Sequence, residues 1–186
     1  MSVPKVFLIL CIGFAASDSM AAQVAVREEP ASIQGPRALT DQSKAAVIRD
    51  YLEAWQSFGT ALAQNRPELL RADFVGTAQE ELMDTVKQQD KLGLRTRYQD
   101  RSHDLQIIFY SPDGLSVQLT DNVEYDVQVI DHDKAITTQR ESARYLVVLA
   151  PSEVRWKVRI FQAIPEMPKL GTASFSAMSA NARQPD

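Results

Sequence analysis

The sequence predicts an α+β fold, with three N-terminal helices packed on one face of a curved antiparallel sheet of four or more strands. Through most of residues 40–92, apolar residues recur every three or four positions, which is the period of an amphipathic helix. After Gly93 they recur every second position, which is the period of a strand with one buried face. Short spacers between the strands indicate antiparallel hairpins.

Length and composition predict one folded domain with flanking segments. The chain has 186 residues, of which 45% are hydrophobic and 24% charged, so a sizeable core can form. A net charge of −4 and a pI near 5.3 make nucleic acid and anionic membrane surfaces poor partners. No Gly-rich phosphate loop is present, and the sequence predicts no cofactor.

Residues 1–21 are predicted to be a secretory signal peptide that is cleaved after Ala21. Lys5 precedes an apolar run over residues 6–16, and small and polar residues follow. The run is shorter than the roughly 20 residues that cross a bilayer, so no stable membrane insertion is expected. The alternative interpretation of this segment is an uncleaved N-terminal anchor. We therefore expect a secreted or periplasmic protein. Cys11, the only cysteine, lies in the signal, so the mature chain has no disulfide.

Two further segments are predicted to flank the domain at residues 40–163. Residues 22–39 contain two prolines and show no periodicity, which is typical of a flexible leader. Residues 164–186 begin with two prolines that stop the last strand and continue with small residues, which predicts a disordered tail.

Three helices are predicted between residues 40 and 93. The first begins at Thr40 or Asp41, either of which can cap it, and ends near Asn65. Its buried stripe comprises Ile48, Tyr51, Leu52, Trp55, Phe58 and Leu62. Pro67 opens a short second helix, PELLRADF. In the third, Thr77 and Glu80 have the spacing of a capping box, and Gly93 suits the C-terminal cap.

The strands follow Gly93 and are separated by turn-forming clusters. SPDG at 111–114, DHDKA at 131–135 and APSE at 150–153 predict the turns. The predicted strands open at Leu94–Tyr98 and continue at 105–109, 115–129, 137–149 and 154–162. A strongly twisted sheet of this kind, closing over a long helix, encloses a cone with a hollow.

One acidic residue interrupts the apolar face of the strand LSVQLTDNVEYDVQV. Its odd positions from Leu115 to Val129 are apolar except Asp121, which the pleat directs towards the buried side. A carboxyl group in the hollow would have a raised pKa and could act as a general acid or base. The turn-prone pair Asp121-Asn122 favours the simpler interpretation, a β-bulge or a solvated strand end.

Both histidines lie in polar stretches. His103 in YQDRSHDLQ has aspartates nearby and could form an acid–base pair, but the polar stretch favours an exposed position. His132 in DHDK lies between two aspartates, and three adjacent residues in a tight turn do not readily ligate one ion. The sequence predicts no metal site.

Arg155, Lys157 and Arg159 fall on one face of the last strand and form the candidate partner surface. Such a face can bind an acidic partner, or it can be the solvated exterior of the sheet balanced by nearby glutamates. It is also the place where we expect a homodimer or protein partner to contact the sheet.

The order of elements resembles the NTF2-like (cystatin-like, SnoaL-like) superfamily over about residues 40–163. The resemblance is carried by YLEAW in the first helix, FVGTA before the third, and the closing pair RYLVVL…VRWKVRIF. It implies a bent antiparallel sheet wrapped around a long first helix. The superfamily contains both enzymes and non-catalytic binding modules.

The resemblance also implies roles for particular residues. In the steroid-isomerase branch a first-helix tyrosine donates a hydrogen bond to a developing oxyanion, and a later aspartate moves the proton; Tyr51 and Asp73 occur in that order. In the dehydratase branch a His–Asp pair serves as the acid–base dyad. Alternatively, Tyr51 and Trp55 are core residues, as a Tyr/Trp pair at helical spacing usually is.

Two functions remain open. The first is an exported, non-catalytic domain that binds a protein partner or a small apolar ligand, with Tyr51, Trp55 and Tyr125 as ligand-binding residues. The alternative is a cofactor-free isomerase, dehydratase or hydrolase that uses Tyr51, His103 and Asp121, with Asp73 as a further candidate. The enzyme hypothesis requires at least two of Tyr51, His103 and Asp121 within hydrogen-bond reach across an apolar pocket. The binding-module hypothesis predicts a filled or shallow cone.

Overall fold

A computed structural model describes residues 24–30 and 38–165. Within these ranges it contains two α-helices, α1 (Asp41–Gln64) and α2 (Gly76–Lys91), with a 3-10 helix (Pro67–Arg71) between them. The strands are β1 (Ala25–Glu28), β2 (Leu94–Tyr110), β3 (Val117–Asp131), β4 (Lys134–Pro151) and β5 (Trp156–Ile164). The predicted signal peptide and nearly all of the predicted tail lie outside the described residues.

The predicted α+β class is confirmed, but three N-terminal α-helices are not. The segment after Pro67 makes only the five-residue 3-10 helix, which has no side-chain cap. The chain then leaves the helical path, because Phe74 forms an isolated parallel bridge with Val158 of β5. Two α-helices therefore pack on the sheet.

The helix α1 has the predicted caps. Thr40 Oγ1 accepts a hydrogen bond from the Ser43 amide at 3.1 Å. Asn65 adopts a left-handed conformation at φ 53° and ends the helix, and its backbone N–H donates to the Ala61 carbonyl. The buried residues of α1 are Val47, Asp50, Tyr51, Ala54, Trp55, Phe58, Ala61 and Leu62.

The predicted capping box at the start of α2 is wrong. The helix begins at Gly76, so Thr77 lies inside its first turn, and the N-cap residue Val75 has no capping side chain. Gly76 has a φ of +57°, which a non-glycine residue rarely adopts. The Gln79 side chain instead secures this end by donating to the Phe74 carbonyl at 3.0 Å.

The sheet is mixed because part of the predicted flexible leader is a strand. Its order is β1-β2-β3-β4-β5, with β1 parallel to β2 and the other neighbours antiparallel. All four side chains of β1 are exposed. Periodicity could not reveal β1, because a strand with no buried face has no alternating pattern.

Irregularities in β2 decide which of its side chains face α1. The register with β3 skips Arg101, so Asp100 pairs with Tyr125 and His103 pairs with Val123. Both of these β3 residues are buried on the inner face. Asp100 and His103 are three residues apart and would lie on opposite faces of a regular strand. This bulge brings His103 to the inner face.

Aromatic side chains fill the space between α1 and the sheet. Trp55 is 2% exposed and lies at the centre of the group. Its ring contacts those of Phe58, Tyr98, His103, Tyr125, Tyr145 and Phe161, with centroids 5.2 to 6.4 Å apart. Tyr145 and Phe161 also stack on each other at 4.6 Å. This part of the cone is packed with side chains.

Candidate functional site

Asp121 lies in the interior and not in a bulge. Its side chain is fully buried, and its backbone pairs in regular register with Leu105 on one side and Tyr145 on the other. The irregularities of β3 and its neighbours occur elsewhere. The favoured interpretation of Asp121 as a bulge or solvated strand end was therefore wrong, while the inward direction expected from the pleat is observed.

Tyr51 and His103 both contact the same oxygen of Asp121. The Tyr51 hydroxyl donates to Asp121 Oδ2 at 2.7 Å, and His103 Nδ1 lies 2.7 Å from that oxygen. His103 is 1% exposed, so the favoured exposed position for it was also wrong. These three side chains form the Tyr51–Asp121–His103 cluster, which links α1, β2 and β3.

The cluster leaves one carboxylate oxygen unused. Asp121 Oδ1 is buried, and no described residue donates a hydrogen bond to it. An ionised carboxylate only accepts hydrogen bonds, so with Asp121 ionised the contact requires a proton on His103 Nδ1. The arrangement can orient the His103 ring and hold a proton at Asp121 or at His103.

Burial holds Tyr51 in its neutral form. Removal from water raises the pKa of the Tyr51 hydroxyl well above its ordinary value of 10.0, and the neighbouring Asp121 carboxylate raises the pKa further. Tyr51 is therefore a hydrogen-bond donor at any physiological pH. It cannot act as a base there.

The same interior makes the fold sensitive to alkaline pH. Burial raises the pKa of Tyr98 to about 12, and it also raises the pKa of Tyr125 and of Tyr145 above the ordinary value. In the unfolded chain these groups lose their protons near pH 10, so the folded state holds more protons above that pH. Stability contributed by the neutral tyrosines is thus complete below about pH 10 and is lost as pH rises towards 12 and beyond.

We expect phenolate absorbance at 295 nm and near-ultraviolet circular dichroism to change together above about pH 10. Tyr98→Phe removes one of the titrating groups and should shift this joint transition to higher pH. Tyr110 is only half-buried, so the titration is made in a Tyr110→Phe background. Phenolate absorbance that rises near pH 10 in this background while the circular dichroism stays native would contradict the buried positions.

Trp55 covers the cluster on the α1 side. Its ring packs edge-on against His103 with centroids 5.2 Å apart, and its indole Nε1 donates to Asp100 Oδ1 at 2.8 Å. Asp100 was noted in the sequence only as an acidic neighbour of His103. Its contact with Trp55 depends on the Arg101 bulge, which sequence patterns do not reveal.

A groove of about 430 Å³ lies on the outer side of Trp55, between α1 and the start of β2. It is lined by Trp55, Gln56, Gly59, Thr60, Ala63, Gln64, Arg97, Tyr98 and Asp100. Of the three predicted ligand-binding residues, all of which are buried, only Trp55 lines this groove. Gly59 stands in open space within it, since a Cβ there would meet no atom within 4 Å.

Asp73 lies in a separate buried network. Both of its oxygens have partners: Ser57 Oγ donates at 2.5 Å and Arg155 Nη1 at 2.6 Å. Asp73 makes no contact with Tyr51 among the hydrogen bonds of the described residues. The structure thus brings Tyr51 together with Asp121 and not with Asp73.

The predicted partner surface is partly occupied by contacts within the chain. Arg155 pairs with Asp73 and lies 3.1 Å from Glu53, and Lys157 Nζ donates to the Arg71 carbonyl at 3.2 Å. Arg159 is exposed and sits at the irregularity where the β4–β5 register shifts. Of these three charges, Arg159 is left exposed to solvent.

His132 and Asp133 form the two-residue turn between β3 and β4, with φ values of 44° and 68°. Residues 24–30 and 38–165 contain no group of three or more His, Cys, Asp or Glu side chains placed to hold a metal ion. Neither α1 nor α2 is long and apolar enough to cross a membrane.

No protein-family model and no curated protein matches the chain. Among solved structures it is similar to the intermembrane space region of the chloroplast protein ARC6, with 15% identity and a TM-score of 0.57 over 69% of this chain and 98% of that one. It is also similar to a predicted scytalone dehydratase from Novosphingobium aromaticivorans, with 12% identity and a TM-score of 0.47 over 68% and 89%. A third is a protein of unknown function with a cystatin-like fold from Nostoc punctiforme, with 16% identity and a TM-score of 0.41 over 71% and 98%.

The likeness at these identities concerns the fold. The fold agrees with the arrangement that the resemblance implies, a largely antiparallel sheet packed on a long first helix.

Proposed function

We propose that the chain is an exported, non-catalytic NTF2-like domain that binds a small apolar ligand or a protein partner at its surface. The observation that carries this proposal is the filled cone. Tyr51, His103 and Asp121 are at most 1% exposed, the first two both bond to Asp121, and the Trp55 ring packs against His103. A substrate has no space beside Asp121 while Trp55 stays in place. Export is proposed because of the signal-like pattern of residues 1–21.

The groove beside Trp55 supports a small-ligand site. It combines the rings of Trp55 and Tyr98, which stack with centroids 6.3 Å apart, with the polar side chains of Gln56, Thr60, Gln64, Arg97 and Asp100. Aromatic walls with a few polar groups are the usual composition of a small-molecule site. An apolar molecule with one polar end fits this lining.

The test uses the fluorescence of Trp55. The chain has two tryptophans, so Trp156→Phe leaves Trp55 as the single reporter. Titration with the neutral apolar probe N-phenyl-1-naphthylamine is expected to give a saturable change in Trp55 emission. Gly59→Leu should abolish this change by filling the groove.

Gly59→Ala is the matched control. It adds a single methyl group in open space and should leave probe binding intact, while raising the free energy of unfolding by about 0.5–1 kcal/mol because alanine favours the helix. A probe signal that survives Gly59→Leu, or that never saturates, would overturn the groove as a ligand site.

One observation favours the alternative, an acid–base enzyme working in the cone. The unpartnered Asp121 Oδ1 could exchange a proton with a substrate if Trp55 moved aside. NMR distinguishes the two functions, because the chain has only two histidines and His132→Gln assigns the ring signals of His103. A ligand that enters the cone must shift the His103 ring signals strongly, whereas a groove ligand acts only through Trp55.

A further inference from the structure

The strand β1 directs the chain before it towards the groove beside Trp55. Glu28, the last residue of β1, forms an ion pair with Lys44 near the start of α1. Ala25, the first residue of β1, pairs with Ser102, and the stretch of β2 immediately before Ser102 lines the groove. β1 therefore runs antiparallel to α1, and a chain that continues back from Ala25 approaches the groove along the edge of β2.

The lengths of helix and strand place particular residues at the groove. A helix rises about 1.5 Å per residue, so Trp55 lies about 16 Å along α1 from the lysine that pairs with Glu28. An extended strand covers that distance in about five residues, so a strand continued back from Glu28 reaches the level of Trp55 at Gln23. Residues 19–23 would then lie along the groove. The predicted cut after Ala21 falls among them.

The alternation of β1 determines which of these side chains would face the groove. Glu28 and Val26 lie on the side of α1, because the first pairs with a lysine of α1 and the second is opposite the buried histidine of β2. Continued alternation puts Ala22 and Met20 on this side and Ser19 on the other. Met20 is therefore the long apolar side chain that would reach the groove.

The groove has the space and the lining that such a segment requires. Its volume is about 430 Å³, and its wall includes the rings of Trp55 and Tyr98, against which a methionine thioether packs favourably. Gly59 leaves open space on the α1 side. Among the residues that the structure describes, no strand pairs with this side of β2 before Ser102, so its main chain can extend the β1–β2 ladder.

We infer that residues 19–23 extend β1 along β2 and place Met20 in the groove, so that the uncleaved chain covers its own ligand site. Because the segment is joined to β1, it competes with a ligand at a high effective concentration. Cleavage after Ala21 removes Met20, and the alanine that remains on this side is too short to fill the groove. This inference rests on the proposed function and adds its regulation: cleavage opens the site, and an uncleaved N-terminal anchor keeps it closed.

The test compares two versions of the chain that both contain every described residue. One begins at Ser17 and keeps the residues around the cut, and the other begins at Ala22. Both carry Trp156→Phe, so that Trp55 is the single reporter. N-phenyl-1-naphthylamine is expected to bind the shorter protein about tenfold more tightly than the longer one, because the attached segment competes only in the latter. Equal affinities would overturn the inference.

Two substitutions in the longer protein separate the side chain from the length of the segment. Met20→Ser should restore the affinity of the shorter protein, because it removes the side chain that fills the groove. Ser19→Ala is the matched control on the opposite side of the segment and should leave the affinity low. Equal effects of the two substitutions would contradict the placement of Met20.

NMR reports the contact without any ligand. The ε-methyl signal of Met20, assigned by its loss in Met20→Leu, should shift upfield in the longer protein because of the ring currents of Trp55 and Tyr98. An unshifted signal together with equal probe binding ends this inference and leaves the groove as a ligand site. A shifted signal with no probe binding to either protein ends the proposed ligand site instead. A shift that disappears on dilution would assign the contact to a second copy and overturn the intramolecular arrangement.

Discussion

Asp121→Ala is expected to lower the free energy of unfolding by about 3–5 kcal/mol, because it leaves the Tyr51 hydroxyl and the His103 Nδ1 group buried without an acceptor. Both groups lie 2.7 Å from Asp121 Oδ2, and their residues are at most 1% exposed in the folded state. A domain of ordinary stability loses a large fraction of its free energy of unfolding through such a substitution. Urea unfolding followed by circular dichroism measures the loss.

Graded substitutions separate the contributions to this effect. Asp121→Asn keeps the volume and one acceptor oxygen, so it should cost less, about 1–3 kcal/mol. Tyr51→Phe removes only the hydroxyl and should cost about 1–2 kcal/mol. In the Asp121→Ala background Tyr51→Phe should instead be neutral or stabilising, because it removes the hydroxyl that Asp121→Ala leaves buried without an acceptor.

Asn122→Ala provides the control on the same strand. Asn122 is the next residue of β3 and is exposed, so this substitution should change stability by no more than about 0.5 kcal/mol. If Asp121→Ala were as harmless as Asn122→Ala, Asp121 would be reached by solvent, and the filled cone that supports a non-catalytic function would be wrong.

Trp55→Ala is expected to cost about 3–5 kcal/mol, the range for loss of a large aromatic side chain from a packed core. The substitution removes contacts with six neighbouring rings and also removes the hydrogen-bond donor of Asp100. Trp55→Phe keeps an aromatic ring and should cost clearly less. Trp156→Phe, at a half-buried position, is the matched tryptophan control.

The cavity left by Trp55→Ala should accept the missing ring. Added indole is expected to raise the melting temperature of Trp55→Ala in a concentration-dependent manner, because a ligand that binds only the folded state stabilises it. The increase should be clearly smaller for the Trp156→Phe protein, in which Trp55 still fills its site and indole can reach only the groove. If Trp55→Ala were no less stable than Trp156→Phe, the cone would be hollow in solution, which would favour the enzyme.

Features that depend on neighbours along the chain were predictable. The stripe of α1 follows from side chains three and four residues apart, and both of its ends follow from local capping by Thr40 and Asn65. The alternation in residues 115–129 predicted that Asp121 points inward, because successive strand residues face opposite sides. Whether Asp121 lies in a bulge or is a buried carboxylate depends on the neighbouring strands and on α1, which the sequence of β3 alone does not specify.

What the tertiary structure decided depends on residues far apart in sequence. Tyr51 and Asp121 are 70 positions apart and meet only because the curved sheet closes on α1. The polar residues around His103 indicated an exposed loop, yet one skipped residue at Arg101 turns His103 inward. β1 has no pattern of its own, since it is held by the free edge of β2. Periodicity records which face of an element is buried; pairing register and bulges, which depend on the partner strand, decide which polar groups meet inside.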